Sequence, residues 1–123
     1  MMERVALIRE GLPYEAIEFI SDKSNLTIKQ VLHLLDLPQT TYNKRMRDKN
    51  LLSGRDSETI LVLTELLEYG LNVFNGEKEK FQRWLQKPNI SLGGVTPISL
   101  FDSLTGIQEV RNALNRLEYG NLA

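Results

Sequence analysis

The chain has 123 residues, 41% apolar and 25% charged, which suits one globular domain or two small ones sharing a core. It contains no cysteine, which excludes disulfides, thiolate metal sites and a cysteine nucleophile and accords with a reducing compartment, the cytoplasm. Net charge is −1; the opening Met1-Met2-Glu3-Arg4 leads into too short an apolar run for a signal peptide, and no stretch approaches the roughly 20 apolar residues of a membrane span.

Proline and glycine are sparse and punctuate a helical period, and no alternating strand pattern occurs, so the expected fold is all-α. An N-terminal segment ends at Gly11-Leu12-Pro13. A first helix is predicted from Tyr14 to about Ser21, burying Ala16, Ile17 and Ile20. Thr27-Ile28-Lys29-Gln30 is a capping box, in which the Thr27 hydroxyl accepts from the Gln30 amide and the Gln30 side chain returns the bond. The helix it opens buries Ile28, Val31, Leu32 and Leu35. A turn at Asp36-Leu37-Pro38 leads to a third helix, about Gln39 to Lys49. Ser53-Gly54 precedes a long fourth helix, about Asp56 to Phe74, with Ile60, Leu63, Leu67, Leu71 and Phe74 on one stripe. A fifth, near Glu77 to Leu85, faces inward with Phe81, Trp84 and Leu85. Thr96 caps a short sixth helix whose first position is Pro97, where a missing N–H costs nothing. Thr105-Gly106-Ile107-Gln108 reads as a second capping box; its helix buries Ile107, Val110, Leu114 and Leu117 and ends at Tyr119-Gly120.

Charge is concentrated in one place. Residues 1–38 are net −2 and residues 56–123 net −3, whereas residues 39–55 are net +4 through Lys44, Arg45, Arg47, Lys49 and Arg55 against Asp48. Two short helices joined by a tight turn, the second basic, describe a helix-turn-helix. At roughly 100° per residue, Tyr42 and Met46 share the face that anchors the third helix on the second. The opposite face carries Thr40, Lys44 and Arg47, with Thr41, Asn43 and Asp48 at its edges. Lys and Arg suit phosphate or guanine, Asn adenine, and Thr a thymine methyl or phosphate. Arg45, nearer the core-facing edge, is expected to reach a phosphate. A solvated basic face is the alternative reading of the same residues. Asp36 stands where such turns often carry glycine, and Asp tolerates the left-handed conformation better than most residues.

From Phe81 onward the sequence reads Arg83-Trp84-Leu85, Pro88-Asn89, Leu92-Gly93-Gly94, Thr96-Pro97 and finally Arg116-Leu117-Glu118-Tyr119-Gly120. This ordered set, over about residues 77–121, resembles the toxin-binding domain of the Xre/MbcA/ParS antitoxins, partners of RES-domain toxins. The upstream helix-turn-helix resembles the Xre-like domain of the same proteins. The resemblance implies an Xre-like DNA-binding half over residues 1–74 and a small helical toxin-binding half over residues 75–123. It implies a non-enzymatic inhibitor without cofactor, whose C-terminal region obstructs the NAD pocket of an NAD-depleting toxin, and which represses its own operon at operator DNA. It places Asn89, Gly93, Gly94, Thr96, Arg116, Glu118, Tyr119 and Gly120 at the toxin interface. Three of these also have a purely structural reading: Gly93 and Gly94 serve backbone geometry and Thr96 serves as a helix cap. Trp84, on the Phe81/Leu85 face, is read as core. Arg116, Glu118 and Tyr119 stand at an exposed helix end, and Arg and Tyr are favoured interface anchors.

An enzyme is disfavoured. The sole histidine, His33, lies on a polar face, Glu65 and Glu68 follow helical spacing on the surface, and no Gly-rich phosphate loop, metal-ligand spacing or nucleophile–base pair occurs. The alternative function is a stand-alone helix-turn-helix regulator whose C-terminal half serves dimerisation or ligand binding. Paired half-sites in an operator imply a homodimer, through either Val5-Ala6-Leu7-Ile8 or the long fourth helix.

Overall fold

The computed structural model describes residues 2–120, and over them the chain is helical. The order is α1 (Met2–Glu10), α2 (Glu15–Ser24), α3 (Ile28–Leu34), α4 (Gln39–Arg47), α5 (Gly54–Val73), α6 (Lys78–Gln86), 3-10 turns at Ile90–Leu92 and Pro97–Leu100, then α7 (Leu104–Glu118). No strand forms among the described residues; Pro13 and Leu51 make an isolated antiparallel bridge. Two compact units result, Met1–Thr64 and Glu65–Ala123, the division falling within α5.

In the first unit, Ile17 and Ile20 of α2, Val31 and Leu32 of α3, and Ile60 and Leu63 of α5 are fully buried. Burying a side chain of this size contributes about 1.5–3 kcal/mol. Ala16, Ile28 and Leu35, expected in the same faces, are half-buried. Tyr14, just ahead of α2, is in the core instead, its ring 6.2 Å from that of Tyr42. Ser57, buried on α5, accepts from the Leu12 amide at 2.8 Å and donates to the Leu52 carbonyl at 3.3 Å, tying both loops to α5. α1 has no fully buried residue: Val5 and Ile8 are half-buried, and Met2 and Leu7 are exposed. The long helix starts at Gly54, two residues earlier than the sequence suggests, because the Ser53 hydroxyl accepts from the Asp56 amide at 3.1 Å.

The predicted capping box of α3 is formed: the Gln30 amide donates to Thr27 Oγ1 at 3.1 Å and the Thr27 amide to Gln30 Oε1 at 2.8 Å. α3 ends in a Schellman motif. The Asp36 amide donates to His33 O at 3.1 Å and the Leu37 amide to Leu32 O at 2.9 Å. Asp36 adopts φ +57, the left-handed conformation glycine would take without strain. Its negative charge also faces the negative end of the α3 dipole. Asp36→Gly is therefore expected to stabilise the fold by roughly 0.5–1 kcal/mol, the relief of strain exceeding glycine's extra unfolded-state entropy. Thermal unfolding checks this; a lowered melting temperature would show that the Asp36 side chain has a stabilising role in the turn.

In the second unit, Leu66 and Leu67 of α5, Phe81 and Leu85 of α6, Phe101, and Ile107, Val110, Ala113 and Leu114 of α7 form the core. Leu71, Phe74 and Leu117 are half-buried. Trp84 is also half-buried rather than internal, its ring centroid 6.0 Å from Phe74 and 6.4 Å from Phe81. It roofs an aromatic cluster whose floor is Phe81, which packs against Gly70 so closely that a Cβ there would overlap the ring. The Thr96–Pro97 start is found as expected, Thr96 Oγ1 accepting from the Ser99 amide at 3.3 Å. The second capping box is not formed. α7 begins at Leu104, and Ser103 is its cap, accepting from the Gly106 amide at 2.9 Å. Gln108 is already a full turn inside and donates to Asn112 Oδ1 at 3.0 Å. The helix starts earlier because Gly106 lies directly on the Leu100 carbonyl, a contact that Ser103 and Leu104 must already be turning to make.

Candidate functional site

The first surface is α4. Its inner face is held by Tyr42, 7% exposed, against Tyr14, while Met46 is half-buried. Burial, with Glu18 and Glu15 nearby, raises the Tyr42 hydroxyl above its ordinary pKa and keeps it neutral. Its C-terminus closes in another Schellman motif: the Asn50 amide donates to Arg45 O at 2.9 Å, with Lys49 at φ +55. That stops the helix with Lys44, Arg45 and Arg47 in its last turn. Thr40, Asn43, Lys44, Arg45 and Arg47 are exposed, and Thr41 is half-buried. The structure thus brings the predicted basic and amide side chains onto one short, solvent-facing helix. Three further details were not visible in the sequence. Gln39 Nε2 donates to Asn43 Oδ1 at 3.0 Å, which leaves the Asn43 amide nitrogen free to donate outward. Arg45 Nη1 donates to Tyr14 Oη at 3.1 Å, linking α4 to the start of α2. Arg47 Nε lies 3.9 Å from Asp48 Oδ1 in an exposed pair of little energetic weight.

The second surface is built by the loop around Ile90–Leu92 and the end of α7. Asn89 organises the loop. Its Oδ1 accepts from the Ser91 amide at 2.9 Å and the Ser91 hydroxyl at 2.7 Å. Its amide donates to Val95 O, and its carbonyl accepts from the Gly94 amide, both at 2.9 Å. Gly93 and Gly94 take φ +77 and +88 with open space beside them, so they are there for the turn. Arg116 reaches back: its Nη2 lies 3.2 Å from Ser91 Oγ and 3.4 Å from Ser91 O. Asn89, Gly93, Gly94 and Arg116 are therefore one constellation, and a Cβ added at Gly120 would be in ordinary van der Waals contact with the Arg116 side chain. Glu118 belongs to a different group. It accepts from Tyr69 Oη at 3.2 Å, and that hydroxyl also bonds Asn115, while Arg111 stacks 4.6 Å from the Tyr69 ring centroid. Burial and then the Glu118 contact raise the Tyr69 pKa; a hydrogen bond to Glu118 raises that of Tyr119. Tyr119 remains 69% exposed. The Arg116–Ser91 contact and the Tyr69 bonds had no sequence signal, since the partners lie far along the chain, and the exposure of Ile90 had none either. The tail 121–123 lies outside the described residues. Among the described residues, no helix is long and apolar enough to cross a membrane, and no group of three or more acidic or histidine side chains could hold a metal ion.

Comparison with known proteins agrees with this division. Residues 3–63 match the antitoxin Xre-like helix-turn-helix domain, and residues 70–120 match the antitoxin Xre/MbcA/ParS C-terminal toxin-binding domain. The chain is similar to an "Antitoxin Xre" of Photorhabdus laumondii, 29% identical over 115 residues, covering 94% of this chain and 78% of the relative. An "Antitoxin Xre" of Yersinia enterocolitica is 26% identical, covering 92% and 76%. A "Prs ADP-ribosylating antitoxin" of a Sphingobium species is 28% identical over 130 residues, covering 99% and 82%. With an all-helical fold, an exposed basic helix in the first unit and both domain models in order, the chain belongs to the Xre/MbcA/ParS antitoxins.

Proposed function

We propose that this chain neutralises a RES-domain, NAD-depleting toxin by covering its active site with the second unit, and represses its own operon by setting α4 into the major groove of operator DNA. The observation that carries the reading is the toxin-binding domain over residues 70–120 behind a helix-turn-helix over residues 3–63. The name of the Sphingobium relative adds a link to ADP-ribosylation, a chemistry that consumes NAD. On this reading Thr40, Thr41, Asn43, Lys44, Arg45 and Arg47 face DNA. Asn89, Gly93, Gly94, Thr96, Arg116, Glu118, Tyr119 and Gly120 form the toxin-binding surface. The protein acts in the cytoplasm by occupancy, without catalysis or cofactor, and as a homodimer that reads paired half-sites. The exposed Met2 and Leu7 of α1 offer apolar surface for that dimer.

Truncation after Leu117 tests the inhibitory part. It removes the exposed end of α7 and leaves the buried Ile107, Val110 and Leu114 in place. Co-expressed with a cognate RES-domain toxin, the full chain should restore growth and NAD level, and the truncated chain should fold, bind DNA and restore neither. Full inhibition of purified toxin by near-stoichiometric truncated chain would place the inhibitory surface elsewhere. A full chain that binds the promoter but never rescues growth would be a plain transcription regulator.

A further inference from the structure

We infer that Ile90 is the apolar anchor of the second unit's partner surface, and that Arg116 acts by holding the loop that presents it; this rests on the toxin-binding reading above. Ile90 is 96% exposed, the most exposed large hydrophobic side chain among the described residues. A lone exposed isoleucine is ordinary. This one stands on a loop with little freedom left. Asn89 is bonded through its amide, carbonyl and side chain, the Gly93 amide donates to Ile90 O at 3.0 Å, and Arg116 clamps Ser91 from α7. A loop fixed at that many points has lost its entropy before any partner arrives, which is the condition for a strong anchor.

The chemistry of the partner follows from charge. Residues 88–101 carry no charged side chain, the longest such run in a chain that is 25% charged. Depletion of charge marks the centre of protein interfaces. The run itself also offers a phosphate backbone no cation. Val95, 43% exposed and bonded to Asn89, extends the apolar surface, and Tyr119, 69% exposed one turn beyond Arg116, adds an aromatic. The fitting occupant is a protein with an uncharged apolar recess, the toxin. Arg116 is thus a positioning residue, its guanidinium already engaged by the backbone and hydroxyl of Ser91.

The test measures affinity of the full chain for a purified cognate RES-domain toxin, with melting temperature and operator affinity as controls. Ile90→Ala is expected to weaken binding about tenfold, and Ile90→Asp a hundredfold or more, as loss of a buried anchor does. Neither control should move, since Ile90 takes no part in the core. Arg116→Ala is expected to weaken binding about tenfold in the wild-type background and hardly at all with Ile90→Ala present, because its effect passes through that side chain. Amide exchange at Ser91 and Gly93 should rise in Arg116→Ala without toxin. If Ile90→Asp binds as tightly as wild type while the wild-type complex forms, the anchor assignment is overturned and the toxin-binding reading stands. If Arg116→Ala costs the same with and without Ile90→Ala, Arg116 contacts the toxin directly and the positioning role falls. If the wild-type chain binds no toxin, both readings fall.

Discussion

Gly106→Ala should be severely destabilising, costing on the order of 3 kcal/mol or more and removing toxin neutralisation with it. The sign is the opposite of the usual expectation. Gly106 lies inside α7 and outside the left-handed region, where alanine normally gains roughly 1 kcal/mol through helix propensity and a less disordered unfolded state. Here a Cβ would sit deep inside van der Waals contact with the Leu100 carbonyl oxygen, and 3.0 Å from both the Leu100 carbonyl carbon and Ser103 Oγ. Both obstacles are fixed. Leu100 closes the 3-10 turn begun at Pro97, and Ser103 is the α7 cap. Backbone cannot swing aside as a flexible side-chain end can, so α7 must shift, and with it Ile107 and Val110 of the core. Gly94→Ala is the control. It meets strain from φ +88 but open space, so its cost should stay near 1 kcal/mol. Chemical denaturation of the two full-length variants decides the matter. A Gly106→Ala chain as stable as wild type would show that the approach of α7 to the turn relaxes easily.

Gly106 also shows what the sequence could and could not carry. Its neighbourhood was visible as a capping pattern, and a cap is there, but on Ser103 rather than Thr105. Both candidates are hydroxyl residues one turn from a helical stripe, and local preference cannot choose between them. The choice is made by Leu100, a contact between elements. The same limit runs through the molecule. Thr27–Gln30 and Thr96–Pro97 were legible because each depends on residues within one turn, and the exposed side of α4 because it follows the helical period. α1 was not read as a helix because no fully buried stripe marks it. Tyr14 was missed as core because its partner Tyr42 lies on another helix. The clamp from Arg116 to Ser91 and the bonds of Tyr69 to Asn115 and Glu118 join positions 25, 46 and 49 residues apart. No periodicity encodes such pairs, and they are what gives the second surface its shape.

Lys44→Ala combined with Arg47→Ala should reduce operator affinity a hundredfold or more while leaving the melting temperature unchanged. Both side chains are exposed on α4, so the fold loses only the weak Arg47–Asp48 contact. On the proposed reading, DNA binding would lose two of the cations of its recognition helix. If both reach phosphates, the slope of log affinity against log salt should fall by about 2, near 0.9 per contact. If one reads a base, the slope falls by about 1 and discrimination at one operator position relaxes. Arg45 provides the internal comparison. It is tethered to Tyr14 Oη at 3.1 Å, so Arg45→Ala should cost some stability as well as affinity, whereas the double variant costs affinity alone. On the proposed reading a net charge of −1 is no obstacle to DNA binding: the field that matters is that of residues 39–55, net +4, and Lys44, Arg45 and Arg47 of that stretch stand on α4, whose inner face is neutral Tyr42. Fluorescence anisotropy on the promoter fragment at several salt concentrations measures both quantities. Unchanged affinity at low salt would remove α4 as the recognition helix and turn attention to Lys29 of α3 and Arg55 of α5.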